Sequence, residues 1–139
     1  MRNVEEPLSL IGNDAFFSRA VRFLDNIEDE ELPLLYQCAK LTVLPSFYEG
    51  FGLTPLEAMS CGCPVVVSRV ASLPEVCGDA VEYVNPYDAF DIARGIEQVL
   101  KENSVREALV KRGLERCDKF SWDKTAQLHL KVIEETLKK

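Results

Sequence analysis

The residues with the clearest chemical potential lie in one stretch, Glu49-Gly50-Phe51-Gly52-Leu53-Thr54-Pro55-Leu56-Glu57. Gly50 and Gly52 let a backbone approach a ligand closely and take up positive φ. The amides around Gly52, Leu53, Thr54 and Leu56 stand at the front of the helix expected next. Free N–H groups and the positive end of a helix dipole favour an anion such as a phosphate. Glu49 lies in the loop and Glu57 in the first helical turn, so two acceptor-only carboxylates flank an anion-binding turn. That layout suits a ligand with phosphate in the middle and hydroxyls at both ends, as in a nucleotide sugar. Plainer readings stand beside this one. Thr54-Pro55-Leu56-Glu57 is also a capping box, a role compatible with ligand binding. The two glycines suit any tight strand-to-helix turn, and Phe51 suits a core.

The surrounding sequence supplies elements to position this stretch. Residues 41–44 are a continuous apolar run closed by Pro45, expected as a buried strand. A helix follows over roughly 55–61, with Thr54 as N-cap, Pro55 at N1 and Gly62 to end it. Residues 65–67 read as another buried strand, Ser72-Leu73-Pro74-Glu75 as a second capping box, and 80–84 as a strand. Upstream, 8–12 and 21–24 read as strands and 28–40 as a helix with Leu32, Leu35, Tyr36 and Ala39 on one face. Its acidic start, residues 28–31, suits the helix dipole. Downstream, Asp88 is placed to cap a helix carrying Ile92, Ile96, Val99 and Leu100. Ser104-Val105-Arg106-Glu107 opens a helix to Cys117, and Ser121 caps a last one with Trp122, Ala126, His129, Val132 and Ile133 on one side. Strand–helix alternation with apolar strands predicts an α/β, Rossmann-like parallel sheet covered by helices on both faces. Ligands bind such sheets beyond the carboxyl ends of the strands, where residues 46–53 fall.

A length of 139 residues predicts one domain spanning 1–139. With 47% hydrophobic and 28% charged residues, the composition is that of a globular domain. Sixteen Lys+Arg against 23 Asp+Glu give a net charge of -7, which argues against nucleic acid and anionic membrane surfaces as partners. No apolar run approaches the roughly 20 residues of a membrane span. The start, Met1-Arg2-Asn3-Val4-Glu5-Glu6-Pro7, lacks the apolar region of a secretory signal. Five cysteines, an odd number, fit reduced thiols, so a cytoplasmic protein is expected. Cys61-Gly62-Cys63 is too tight for metal-finger spacing and His129 is distant, so no metal site is expected.

The longer run Pro45-Ser46-Phe47-Tyr48-Glu49-Gly50-Phe51-Gly52-Leu53-Thr54-Pro55-Leu56-Glu57-Ala58-Met59-Ser60-Cys61-Gly62-Cys63-Pro64-Val65-Val66 closely resembles the donor-site signature of retaining GT-B glycosyltransferases. This is the glycosyl transferase group 1 family, with Glu49 and Glu57 as its E-x7-E motif. Leu32-Pro33-Leu34-Leu35-Tyr36, Ser72-Leu73-Pro74-Glu75-Val76, Gly78-Asp79-Ala80 and Phe120-Ser121-Trp122 extend the resemblance in order along nearly the whole chain. The resemblance implies that Glu57 accepts hydrogen bonds from ribose hydroxyls. It implies that Glu49, the candidate catalytic residue, contacts and positions the transferred sugar. Gly50, Phe51, Gly52, Leu53 and Thr54 would touch the sugar and diphosphate through their backbone. The turn at residues 24–26 would flank the nucleobase, with Asp25 where the family often has Gly. Arg69 reads first as a surface arginine. No cofactor is implied, the nucleoside diphosphate sugar being the donor substrate.

Against that family pattern, the chain reads as a truncated GT-B C-terminal domain lacking the first strand–helix unit, with the Arg and Lys that hold the diphosphate. Two lost hydrogen bonds to a charged group amount to roughly 3–6 kcal/mol, so the chain alone is expected to be a poor catalyst or none. The 8–24 strand pair would then close onto the 41–44 strand or rearrange, with exposed edges favouring a homo-oligomer. Three functions are consistent with this. The chain is the donor half of a hexosyltransferase working with an N-terminal acceptor domain, a non-catalytic nucleotide-sugar-binding module, or a protein-interaction module.

Overall fold

Three short parallel strands form the sheet of a computed structural model that describes residues 19–138. They are β1 (Thr42–Leu44), β2 (Val65–Ser68) and β3 (Glu82–Val84), in the order β1-β2-β3. Thr42 pairs with Val65 and Leu44 with Val67; Val66 pairs with Glu82 and Ser68 with Val84. The helices are α1 (Leu32–Cys38), α2 (Leu53–Ser60), α3 (Leu73–Cys77), α4 (Ala89–Lys101), α5 (Asn103–Cys117) and α6 (Trp122–Leu137).

β2 is central and every residue in it is buried. Because side chains alternate across a strand, its valines serve two layers. Val65 and Val67 pack with Ala58 and Met59 of α2 and Leu73, Val76 and Cys77 of α3. Val66 packs on the other face with Val84, Val99 of α4 and Leu109 of α5. This two-sided burial explains why Val65-Val66-Val67 is apolar without alternation. α4 crosses close to the sheet at Gly95, where an added Cβ would lie 2.5 Å from Val84 Cγ1. The Rossmann-like arrangement expected from the sequence is therefore present, with helices on both faces.

Several local expectations are corrected. Residues 21–24 form no strand; Val21, Phe23 and Leu24 are exposed, and among the described residues no strand lies beside them to pair their backbone. The expected strand at 8–12 lies outside the described residues. The helix expected over 28–40 is only Leu32–Cys38, because Pro33 belongs in a first turn and residues 28–31 form a separate turn. The 80–84 strand begins at Glu82.

None of the three capping boxes forms. α2 starts at Leu53 with Gly52 as N-cap, which puts Thr54 inside the helix. Ser72 spends its hydroxyl elsewhere, and α5 starts at Asn103, ahead of Ser104. Asp88 and Ser121 do cap: Asp88 accepts from the amides of Phe90 and Asp91, and Ser121 from that of Lys124. α6 buries none of its residues. Among the described residues no helix is long and apolar enough to cross a membrane.

Candidate functional site

The bend at residues 49–53 joins β1 to α2 at the carboxyl edge of the sheet. Gly52 sits at φ 106°, in the left-handed region that favours glycine. It is also pressed against α3, where an added Cβ would lie 3.0 Å from Leu73 Cδ2. Gly50 differs. Contrary to expectation it is not at positive φ, and a Cβ there would meet nothing within 4 Å. One glycine is therefore demanded by the fold, and the other fronts open space.

The bend is tied to its neighbour. Ser72 Oγ donates to the Glu49 carbonyl at 3.3 Å. Just before it Ala71 adopts φ 46°, a left-handed conformation that costs a non-glycine residue roughly 1–2 kcal/mol. The turn that brings Ser72 to the bend is thus locally strained.

At the mouth of α2 the amides are unspent. In α1, α3, α4, α5 and α6 an amide of the first turn bonds back to the N-cap carbonyl, as from Ile92 to Asp88 at 3.0 Å. No such bond runs from the Leu56 amide to Gly52, and no side chain caps the helix. Pro55 has no N–H, so the first-turn donors left without a helical carbonyl are those of Leu53 and Thr54. Thr54 is exposed. Phe51 is no core residue: it is 49% exposed and stands edge-on to Phe120, centroids 6.2 Å apart.

Glu57 is exposed on α2 and, with Phe51 and Leu53, lines a groove of about 570 Å³ closed by Phe120, Trp122 and His129. On its α1 side Glu57 faces Tyr36. Burial, and then the negative charge of Glu57, push the Tyr36 hydroxyl above its usual pKa. Glu49 is half-buried and does not line this groove; nor do Gly50, Gly52 and Thr54. The two carboxylates are therefore carried by different supports, Glu49 by a loop fastened to α3 and Glu57 by α2 beside α1. In the turn at 24–26, the left-handed residue is Asn26 at φ 55°, with Asp25 before it. Among the described residues no group of three or more His, Cys, Asp or Glu could hold a metal ion.

A second depression of about 450 Å³ lies over the carboxyl ends of β2 and β3, lined by Arg69, Tyr83, Asn85 and Tyr87 among others. Arg69 is exposed, with its guanidinium 4.7 Å from the centre of the Tyr83 ring. Tyr83 donates its hydroxyl to the Gly78 carbonyl at 2.7 Å and also to that of Leu73, and burial pushes its pKa up to about 12. Arg116, from the end of α5, donates to the carbonyls of Val76 and Glu75 and covers Phe120. Sequence reasoning missed Tyr36, Tyr83, Tyr87 and Arg116 as parts of this end of the molecule. Their contacts reach across the chain, and no local spacing signals them.

Residues 3–116 match the family model of the glycosyl transferases group 1. The chain is 52% identical over 103 residues to O-antigen chain mannosyltransferase B of Escherichia coli, covering 74% of this chain and 27% of that protein. It is 35% identical over 135 residues to D-inositol 3-phosphate glycosyltransferase of Corynebacterium jeikeium, covering 96% of this chain and 32% of that one. Among solved structures, sucrose-phosphate synthase of Thermosynechococcus elongatus superposes with a TM-score of 0.83 at 30% identity, over 95% of this chain and 34% of that one. The chain thus spans about a quarter to a third of the length of these three proteins.

Proposed function

The chain belongs to the glycosyl transferases group 1, and from that premise we propose that it is the donor-binding part of a retaining hexosyltransferase. The donor is a nucleoside diphosphate sugar. Mannose is the favoured hexose, because mannosyltransferases stand among the relatives. The leaving diphosphate lies at the mouth of α2, where the amides of Leu53 and Thr54 and the helix dipole take up developing negative charge. Glu57 receives the ribose hydroxyls. Glu49 holds hydroxyls of the transferred sugar and fixes its position as the bond to the diphosphate breaks. Departure and attack occur on one face of the sugar, through an oxocarbenium-like state, so configuration is kept. A further domain completes the acceptor site, and the uncovered apolar side of α6, with Trp122 79% exposed, is the face that domain docks against. A cytoplasmic setting goes with this reading, and all five cysteines are unpaired.

The observation that carries the proposal is the uncapped, amide-open mouth of α2 with Gly52 wedged behind it and Glu57 beside it. Calorimetric titration with UDP, GDP and ADP sugars tests it. We expect one to bind saturably and Glu57→Gln to weaken it at least about tenfold, the effect of losing a hydrogen bond to a charged group. A folded chain that binds none of them overturns the proposal and leaves the protein-interaction reading. Sugar transfer on adding a separately expressed acceptor domain separates the enzyme part from a module that only binds.

A further inference from the structure

Phe47 and Tyr87 come from different loops and meet at the carboxyl edge of the sheet, ring centroids 5.0 Å apart and planes at 38°. They are 63% and 77% exposed, so the contact buries little of either ring. Aromatic side chains normally bury a large apolar area, which makes an uncovered pair at the ligand-binding edge of a parallel sheet a surface in want of an occupant.

We propose that Phe47 and Tyr87, with Arg69 and Asn85, form a saccharide subsite that seats the acceptor sugar next to the donor bend; this rests on the donor reading above. The chemistry of the four residues matches that of a pyranose. A pyranose has apolar faces of C–H bonds, which are drawn to the negative face of an aromatic ring, and a rim of hydroxyls. The hydroxyls need directional partners. Among the described residues the Arg69 guanidinium has no ion-pair or hydrogen-bond partner, so its N–H groups are unspent while the Tyr83 ring holds it in place. Asn85 Oδ1 accepts from the Tyr87 amide at 3.0 Å, which leaves the side-chain NH2 group free to donate. Asp91 shares the depression, but it is committed to the Asn85 amide and to Arg94, and so adds no free carboxylate.

The platform is rigid before any ligand arrives. The Asn85 amide bonds to Asp91 at 2.7 Å, the Asp88 amide to the Asn85 carbonyl at 3.1 Å, and Asp88 caps α4. A preformed surface loses little freedom on binding, which favours a weakly held sugar. It also lies where transfer requires it. Phe47 and Glu49 are two residues apart, no more than about 7 Å of extended chain, so a sugar on the aromatic pair adjoins one held by Glu49.

Saturation-transfer NMR on the whole chain, with mannotriose and separately with the nucleotide sugar that binds, tests this. The rings are exposed, so Phe47→Ala and Tyr87→Ala leave the fold intact, checked by thermal unfolding. We expect mannotriose to bind wild type and to be held about three- to tenfold more weakly by each variant, with nucleotide-sugar affinity unchanged. Arg69→Gln is expected to weaken mannotriose as well. Three results overturn the subsite: mannotriose binding unchanged in the double variant, no mannotriose binding by a chain that does bind the nucleotide sugar, or self-association of wild type that the double variant abolishes. The last would make the aromatic pair a protein contact. Failure of both ligands overturns the donor reading and this one together.

Discussion

The mouths of α2 and α4 both stand at carboxyl ends of strands, and they are finished in opposite ways. At α4 the Asp88 carboxylate accepts from the amides of Phe90 and Asp91, at 2.9 and 3.3 Å, and its carbonyl takes that of Ile92. Three of the first four amides are thereby taken, and a carboxylate stands where an anion would sit. At α2 the chain enters through Gly52 in a left-handed conformation, and no side chain takes the first amides. The first mouth is built for stability. The second forgoes a cap usually worth about 1 kcal/mol, as a surface reserved for a ligand would.

Breaking the α2 mouth has the largest expected effect. Gly52→Ala puts a Cβ 3.0 Å from Leu73 at a positive φ, so we expect roughly 1–3 kcal/mol lost in urea unfolding and donor binding lost with it. An intermediate effect comes from alkaline pH, through the end of α3 that supports this mouth. Burial raises Cys77 from 9.0 to about 11 and Tyr83 from 10.0 to about 12. The unfolded chain gives up both protons at lower pH than the folded one and so holds fewer of them there. Their joint contribution to stability is level below pH 9 and falls as pH rises from 9 to 12. Tyr83→Phe should remove the fall above pH 11 and lessen it between 10 and 11, where Cys77 still contributes, as read by urea midpoints across that range. Asp88→Ala should cost about 1 kcal/mol and leave donor affinity unchanged, since the donor is placed at the other mouth. The smallest stability change is expected at Gly50→Ala, within about 0.5 kcal/mol, because the new methyl meets open space. Its effect on nucleotide-sugar affinity, measured by calorimetry, sharpens the contrast: a severalfold loss places ligand in that space, and no loss places it elsewhere.

What the sequence made legible follows from how local the physics is. The valines of β2 had to be strand and had to be covered on both sides, and Asp88 and Ser121 had room to reach their own helices. The three capping boxes misled because the same spacing has competing uses. Ser72 bonds to Glu49, 23 residues away in sequence, and Gly52 starts α2 one residue ahead of the expected N-cap. Residues 21–24 had strand-like composition, but a strand needs a neighbour to receive its backbone bonds, and composition does not supply one. Within the site the motif drew attention to Glu49, Gly52 and Glu57. It gave no sign that Tyr36 would stand against Glu57 or that Phe47 would meet Tyr87, because those contacts exist only once separate segments are folded together.

Arg116 grips the carbonyls of Val76 and Glu75 and lies over Phe120, whose ring in turn touches Phe51. The chain is clamped up to Phe120, and α6 leaves at Ser121 with none of its residues buried. The fold therefore has a fulcrum at the junction of α5 and α6. Leverage on α6 would be felt first at that junction, one aromatic contact away from Phe51 in the bend before α2.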